Sequence, residues 1–151
     1  MLTSRHVGSI ATDYTKTELA HGDETLRLDV NLEDPSSFTQ AAVDALDRAI
    51  DELPHREAAA RAAFAAAMSD DKSEPAQFWR FHHDEVEEHA GLPRDSFAAT
   101  LKLVRTGFYP DGAFGASYTI LDFAVRGPNT DQLLVAKFDH DGALLAIAWE
   151  S

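Results

Sequence analysis

The chain contains no cysteine, so disulfides, thiolate zinc sites, iron–sulfur clusters and cysteine nucleophiles are excluded by count. Any metal would have to be held by His, Asp or Glu. Long apolar runs are missing as well: no stretch reaches the roughly 18 consecutive apolar residues that suggest a membrane-spanning helix. The opening Met1-Leu2-Thr3-Ser4-Arg5-His6 has no apolar centre of the kind a secretory signal carries. Together these absences lead us to expect a cytoplasmic protein. Basic residues are scarce, 13 Lys and Arg against 26 Asp and Glu, for a formal net charge of −13 at pH 7. That balance repels phosphate backbones and anionic bilayers, so no nucleic acid and no membrane is expected as partner. A basic protein is the partner it suits. The glycines are scattered, with no phosphate-cradling loop of the Walker or dinucleotide type and no Gly-x-Ser-x-Gly elbow. No cofactor is expected.

What is present is the composition of one ordinary globular domain over residues 1–151, with 44% hydrophobic and 26% charged residues. Val7 to Ala11 reads as a short strand. Thr25 to Leu32 reads as a better one, because Leu26, Leu28, Val30 and Leu32 alternate with Arg27, Asp29 and Asn31. His21-Gly22-Asp23 between them has turn chemistry, which predicts an opening hairpin. Ser37-Phe38-Thr39-Gln40 fits a capping box, and Ala42, Val43, Leu46, Ala49, Ile50 and Leu53 then recur at helical spacing, predicting a helix over 38–53. Pro54 interrupts or restarts it. An alanine-rich second helix is predicted over 55–68, anchored by Phe64 and Met68, and a third from Pro75 to about Ala90, closed by Gly91 and Pro93.

Beyond a linker near 94–99, four strand-like runs follow: 101–109, 116–125, 132–139 and 143–149. The turns Pro110-Asp111-Gly112, Gly127-Pro128-Asn129 and Asp139-His140-Asp141-Gly142 join them. Short connections link antiparallel neighbours. The expected class is therefore α+β: an antiparallel sheet of about six strands, two N-terminal and four C-terminal, with three helices packed on one face.

Two constellations can carry chemistry. On the third helix His82, Glu85 and His89 stand at i, i+3 and i+7, within about a 60° arc, as a candidate metal set. The two imidazoles are nevertheless about 10.5 Å apart along a helix axis, long for one ion. His82 or His83 with Asp84 or Glu85 would also serve acid–base catalysis. A hydrolase of either sort requires these side chains to converge in a pocket with further groups such as His6, Asp139 or His140. A helix that leaves them splayed in solvent removes its basis. On the strands, Arg105, Asp122 and Lys137 each interrupt an apolar run, and aligned registers would make a cross-strand charge ladder on the face away from the helices. Asp131 follows Gly127-Pro128-Asn129-Thr130 and suits a loop cap. His83, Arg105, Asp122, Asp131 and Lys137 are thus the candidate binding residues. Phe78, Trp79 and Phe81 carry large apolar area that favours a place in the core.

The run Leu101-Lys102-Leu103-Val104-Arg105-Thr106-Gly107-Phe108-Tyr109-Pro110-Asp111, with Tyr118-Thr119-Ile120, Thr130-Asp131-Gln132-Leu133-Leu134-Val135, Phe138-Asp139, Gly142 and the closing Glu150-Ser151, resembles an uncharacterised bacterial family. This is the domain-of-unknown-function family "two thousand and four". Weaker likeness extends to Val7-Gly8-Ser9-Ile10, to Leu26 through Leu32 and to Phe81-His82-His83-Asp84-Glu85. Asp122, placed after Tyr118-Thr119-Ile120-Leu121, departs from the Phe-Asp-Tyr-Thr pattern of that resemblance. The resemblance implies a small cytoplasmic α+β protein with no assigned activity and no cofactor. Three functions follow as expectations: a non-enzymatic, immunity-like or accessory module that binds a basic protein, a metal-assisted or acid–base hydrolase on the His/Glu helix, and a homodimer paired through a sheet edge.

Overall fold

The computed structural model describes every residue except Asn129. Its first element is a small hairpin, β1 (Leu2–Ser4) against β2 (Gly8–Ile10), with Leu2 opposite Ile10. The Val7 to Ala11 run therefore pairs with the N-terminus and not with the 25–32 strand. Buried Asp47 anchors this hairpin, accepting from Ser4 Oγ at 2.5 Å and from Arg5 N at 3.0 Å. The true hairpin partner of β4 (Glu24–Asn31) is β3 (Tyr14–His21), turning at Gly22 with φ of 64°. Sequence periodicity passes over β3 because it is an outer strand. Thr15, Thr17 and Leu19 are its half-buried side, while Tyr14, Lys16, Glu18 and Ala20 face water.

The helical segment begins with a 3-10 turn at Pro35–Ser37, which moves the cap two residues on from the expected Ser37. Thr39 caps α1 (Gln40–Asp51) by accepting from Ala42 N at 3.1 Å, an arrangement typically worth about 1 kcal/mol. Gln40 bonds to the backbone of Thr3 instead of closing a capping box. Helix α2 (Leu53–Ala67) holds Pro54 in its first turn, where the missing N–H has no intrahelical role. Helix α3 (Glu74–Glu85) is capped by Ser73 and stops at Val86, short of the expected Ala90, and a 3-10 turn at Glu87–His89 redirects the chain. A fourth short helix, α4 (Phe97–Thr100), occupies the expected linker and buries Phe97 and Ala98.

Strands β5 (Lys102–Phe108), β6 (Thr119–Ala124), β7 (Leu133–Phe138) and β8 (Leu144–Glu150) complete a six-stranded sheet in the order β3-β4-β5-β6-β7-β8. The sheet is mixed and not purely antiparallel, because β4 and β5 run parallel. Tight turns fix antiparallel pairing only between consecutive strands. The long α1–α4 segment between β4 and β5 is the crossover that a parallel pair requires. Leu26, Leu28, Val30, Leu103, Phe108, Leu121, Phe123, Leu134 and Phe138 are buried in two clusters with the helices. In one, Phe64 of α2 meets Phe123 edge-on at 5.1 Å. In the other, Val43, Leu46 and Ile50 of α1 pack with Val30, Phe108 and Ile10. Phe78 is fully buried, with Trp79 and Phe81 half-buried beside it. No described helix is long and apolar enough to cross a membrane.

Candidate binding cleft on the open sheet face

The face of the sheet away from the helices carries a polar cluster built by register. Asp29 lies opposite Gly107, Arg27 opposite Arg105, and Arg105 opposite Asp122. The guanidinium of Arg105 donates Nε to Asp29 Oδ2 and Nη2 to Asp29 Oδ1, both at 2.7 Å, a bidentate pair. Nη1 donates to Asp122 Oδ2 at 3.2 Å and Nη2 to Tyr109 Oη at 2.8 Å. Asn31 Nδ2 adds a bond to Asp29 Oδ1 at 2.6 Å. A side chain at Gly107 would collide with the Arg105 guanidinium, so glycine there lets the arginine lie flat across β5.

Asp29 and Asp122 are buried, at 1% and 7% exposure, and such carboxylates need partners. Burial pushes the Asp122 carboxyl above the usual aspartate range, with Arg105 pulling the other way. Burial also opposes the charge on Arg105. The bonds to Asp29 and Tyr109 and the two carboxylates outweigh it, and its pKa stands above the ordinary arginine value. The cluster is a rigid frame around a central cation.

Beside this frame opens a cleft of about 660 Å³ whose lining includes Arg27, Lys102, Arg105, Arg126, Asp122 and Asp131. Four of the 13 basic residues of an acidic chain thus gather at one concavity. Lys102 and Arg126 share one carboxylate, Glu24, at 3.3 and 2.9 Å. Arg27 is exposed and forms no ion pair among the described residues. Val104, Ala124, Val125 and Leu133 supply an apolar wall.

The other expected residues are placed as follows. Lys137 is on the same face but lies opposite Ile120, pairs with Glu150 at 3.2 Å and sits over the Phe114 ring, so the charge ladder stops at Arg105 and Asp122. Asp131 sits in the left-handed region at φ 60° in the loop before β7, at the cleft wall. The turn proposed at Gly127-Pro128-Asn129 includes one residue outside those described. His83 stacks on Trp79 at 4.8 Å and bonds to Asp84.

His82 and His89 come together after all, with ring centroids 5.7 Å apart, because the helix ends between them. Glu85 stays exposed. A carbonyl only accepts, so His82 Nδ1 donates to Phe78 O and its Nε2 accepts from the Thr130 hydroxyl, each at 2.8 Å. Burial holds the His82 pKa below the usual imidazole value, and neighbouring His89 adds to this. His89 Nε2 donates to Pro128 O at 3.2 Å. The pair thus ties α3 and its following turn to the loop that walls the cleft. Among the described residues no group of three or more His, Asp or Glu is arranged to hold a metal ion. His6 bonds to Asp51, His140 lies 3.4 Å from the carboxylate of its neighbour Asp141, and Asp139 accepts from the backbone of its own turn.

Both outer edges of the sheet are blunted. The β3 edge carries Lys16 and Glu18, and β8 has a register break at Phe138 and Leu144 and donates its Trp149 N–H to Glu74 Oε2 at 3.2 Å.

Sequence reading missed Arg27, Asp29, Lys102, Tyr109 and Arg126. Its only signal was the Arg-x-Asp spacing on the polar side of β4, and that has meaning only once β4 is known to lie beside β5. No family model, curated protein or solved structure matches this chain. The functional reading therefore rests on geometry.

Proposed function

We propose that this protein is a non-enzymatic binding module, of accessory or immunity-like kind, that seats its partner on the open face of the six-stranded sheet. One observation carries the reading: a preassembled ion-pair frame holds a cleft whose lining sets Arg27, Lys102, Arg105 and Arg126 beside an apolar wall. Preorganised polar groups beside an apolar wall are what a specific binding site needs. The acidic exterior favours a basic partner through long-range steering, and within the cleft the cations stand among the carboxylates Glu24, Asp29, Asp122 and Asp131.

The hydrolase reading loses support from the engaged ring nitrogens of His82 and the outward Glu85. Edge-paired dimerisation loses support from the blunted edges. The test is affinity capture from cell extract with the immobilised full chain, Thr25→Trp and Ala62→Arg. Thr25 is exposed on the open face two residues from Arg27, and Ala62 is exposed on the helical side. We expect capture by the wild type and by Ala62→Arg, and its loss in Thr25→Trp. Equal capture by all three would refute a role for the open face.

A further inference from the structure

Away from the open face lies a second cavity lined by hydrogen-bond donors, and we propose that it binds the phosphate group of a small organic ligand. This site does not depend on the binding-module reading. The cavity, about 490 Å³ and in the range of compact ligand sites, lies where α1 and α2 meet the β5–β6 and β7–β8 connections. Arg48 of α1, Arg56 of α2, Tyr118 and His140 line it. Neither guanidinium makes an ion pair or a side-chain hydrogen bond among the described residues, and the Tyr118 hydroxyl makes no hydrogen bond there. Burial pushes the Tyr118 phenol up to about 12, with Arg48 pulling the other way, so it stays a neutral donor beside that arginine. Arg56 is seated by main chain instead of by a counter-ion. Gly142 lies at φ 85°, and a side chain there would collide with the Arg56 guanidinium. Gly107 seats Arg105 in the same manner, but Arg105 also has Asp29 and Asp122.

The carboxylates nearby are exposed or engaged elsewhere. Glu52 is the one acid in the described lining, and it is exposed and forms no ion pair with either arginine. Asp141 stands beside His140, Asp139 accepts from the N–H groups of Asp141 and Ala143, and Asp51 is held by Arg5 and His6. More distant surface charges are largely screened beyond about 8 Å at physiological ionic strength, so the short-range donors decide what enters. Donors without partners require a ligand that brings acceptors. A planar carboxylate is satisfied by one guanidinium fork. Here two forks on different helices face a phenol and an imidazole from the strand connections. A phosphate group has three strong acceptor oxygens pointing in different directions, which matches that spread. Ala45, Ala49 and Pro110 give the rest of the wall a small, apolar surface that suits the carbon body of a phosphate ester.

The test is isothermal titration of the full chain, at constant ionic strength, with phenyl phosphate, inorganic phosphate and benzoate. All three are repeated on Arg48→Gln, Arg56→Gln and Lys72→Gln. Lys72 is exposed beyond the far end of α2, so its substitution removes the same charge away from the cavity. Arg48 is exposed as well, and Arg48→Gln should keep its urea midpoint, so a loss of binding in it is not a loss of fold. We expect saturable binding of phenyl phosphate, weakened roughly tenfold or more in each arginine variant as a charge-assisted contact is lost, and unchanged in Lys72→Gln. Inorganic phosphate should bind more weakly, and benzoate more weakly still. No saturable binding of phenyl phosphate, equal weakening in all three variants, or benzoate binding as tightly as phenyl phosphate would each overturn the proposal. Inorganic phosphate binding as tightly as phenyl phosphate would overturn the organic ligand. Neither arginine lies on the open face, so failure here leaves the binding-module reading untouched.

Discussion

On the helix-covered face of the sheet, Leu26, Leu121, Phe123 and Leu134 are buried by apolar neighbours that are interchangeable in kind. On the open face, Asp29 and Asp122 are buried almost as deeply, yet each depends on one guanidinium. The first face gains stability in proportion to area removed from water. The second must offset the desolvation of charge with exact partners, and it gains definition more than stability. That difference separates the two faces: the apolar side is tolerant and structural, and the polar side is intolerant and preorganised, beside the cleft.

The comparison breaks most visibly at Arg105. Arg105→Met leaves two buried carboxylates unpaired and should destabilise by about 3–5 kcal/mol in urea unfolding, while the triple change Arg105→Met/Asp29→Leu/Asp122→Leu should recover most of that loss. If the triple variant were no more stable than the single one, the open face would be held by something other than its ion pairs. On the apolar side, Phe64→Ala removes a fully buried ring against Phe123 and should cost about 3–5 kcal/mol. No second substitution elsewhere should rescue it.

Gly107→Ala forces the Arg105 guanidinium off β5 and should cost about 1–3 kcal/mol as overpacking does. Thermal unfolding reads it.

Acid conditions act on the clamp between α3 and the cleft wall. Because burial lowers the His82 pKa in the fold, the unfolded chain takes up its proton first as pH drops below about 6.5. Stability should therefore fall with decreasing pH from that point, until the folded-state pKa is also passed. His82→Gln should flatten this part of the profile. An unchanged profile in the variant would mean that His82 is not the group responsible.

The smallest effect is expected at Thr106, which faces the helices opposite Leu28 and Leu121 and has a buried hydroxyl with no partner among the described residues. Thr106→Val should stabilise by about 1 kcal/mol, the lower end of the cost of an unsatisfied group. Equilibrium urea unfolding checks it.

Much of the fold was legible locally. Alternation in Leu26 to Val30, the apolar stripe of Val43, Leu46 and Ile50, and the C-terminal turns each report burial through a short-range period. The 14–21 strand was not legible, since an edge strand alternates threonine with charge and leaves little apolar signal. The early stop of α3 was also missed, and with it the approach of His82 to His89. Of the site, Arg105 and Asp122 could be picked out as charges inside apolar runs, whereas Asp29 looked like an ordinary solvent-side residue.

The sequence by itself determined the two-layer arrangement, the helical middle, the C-terminal meander and the acidic exterior, because periodicity, turn chemistry and charge are properties of neighbouring residues. Only the tertiary structure decided that β4 lies parallel to β5. From that one pairing follow the Arg105–Asp29 clamp, the glycine beneath it and the cleft that Arg27 and Arg105 line together. Their partners lie 76 residues apart in the chain, and no local pattern specifies a register across such a distance. It is set by the burial of the helix-facing side, which places the opposite side chains as a consequence.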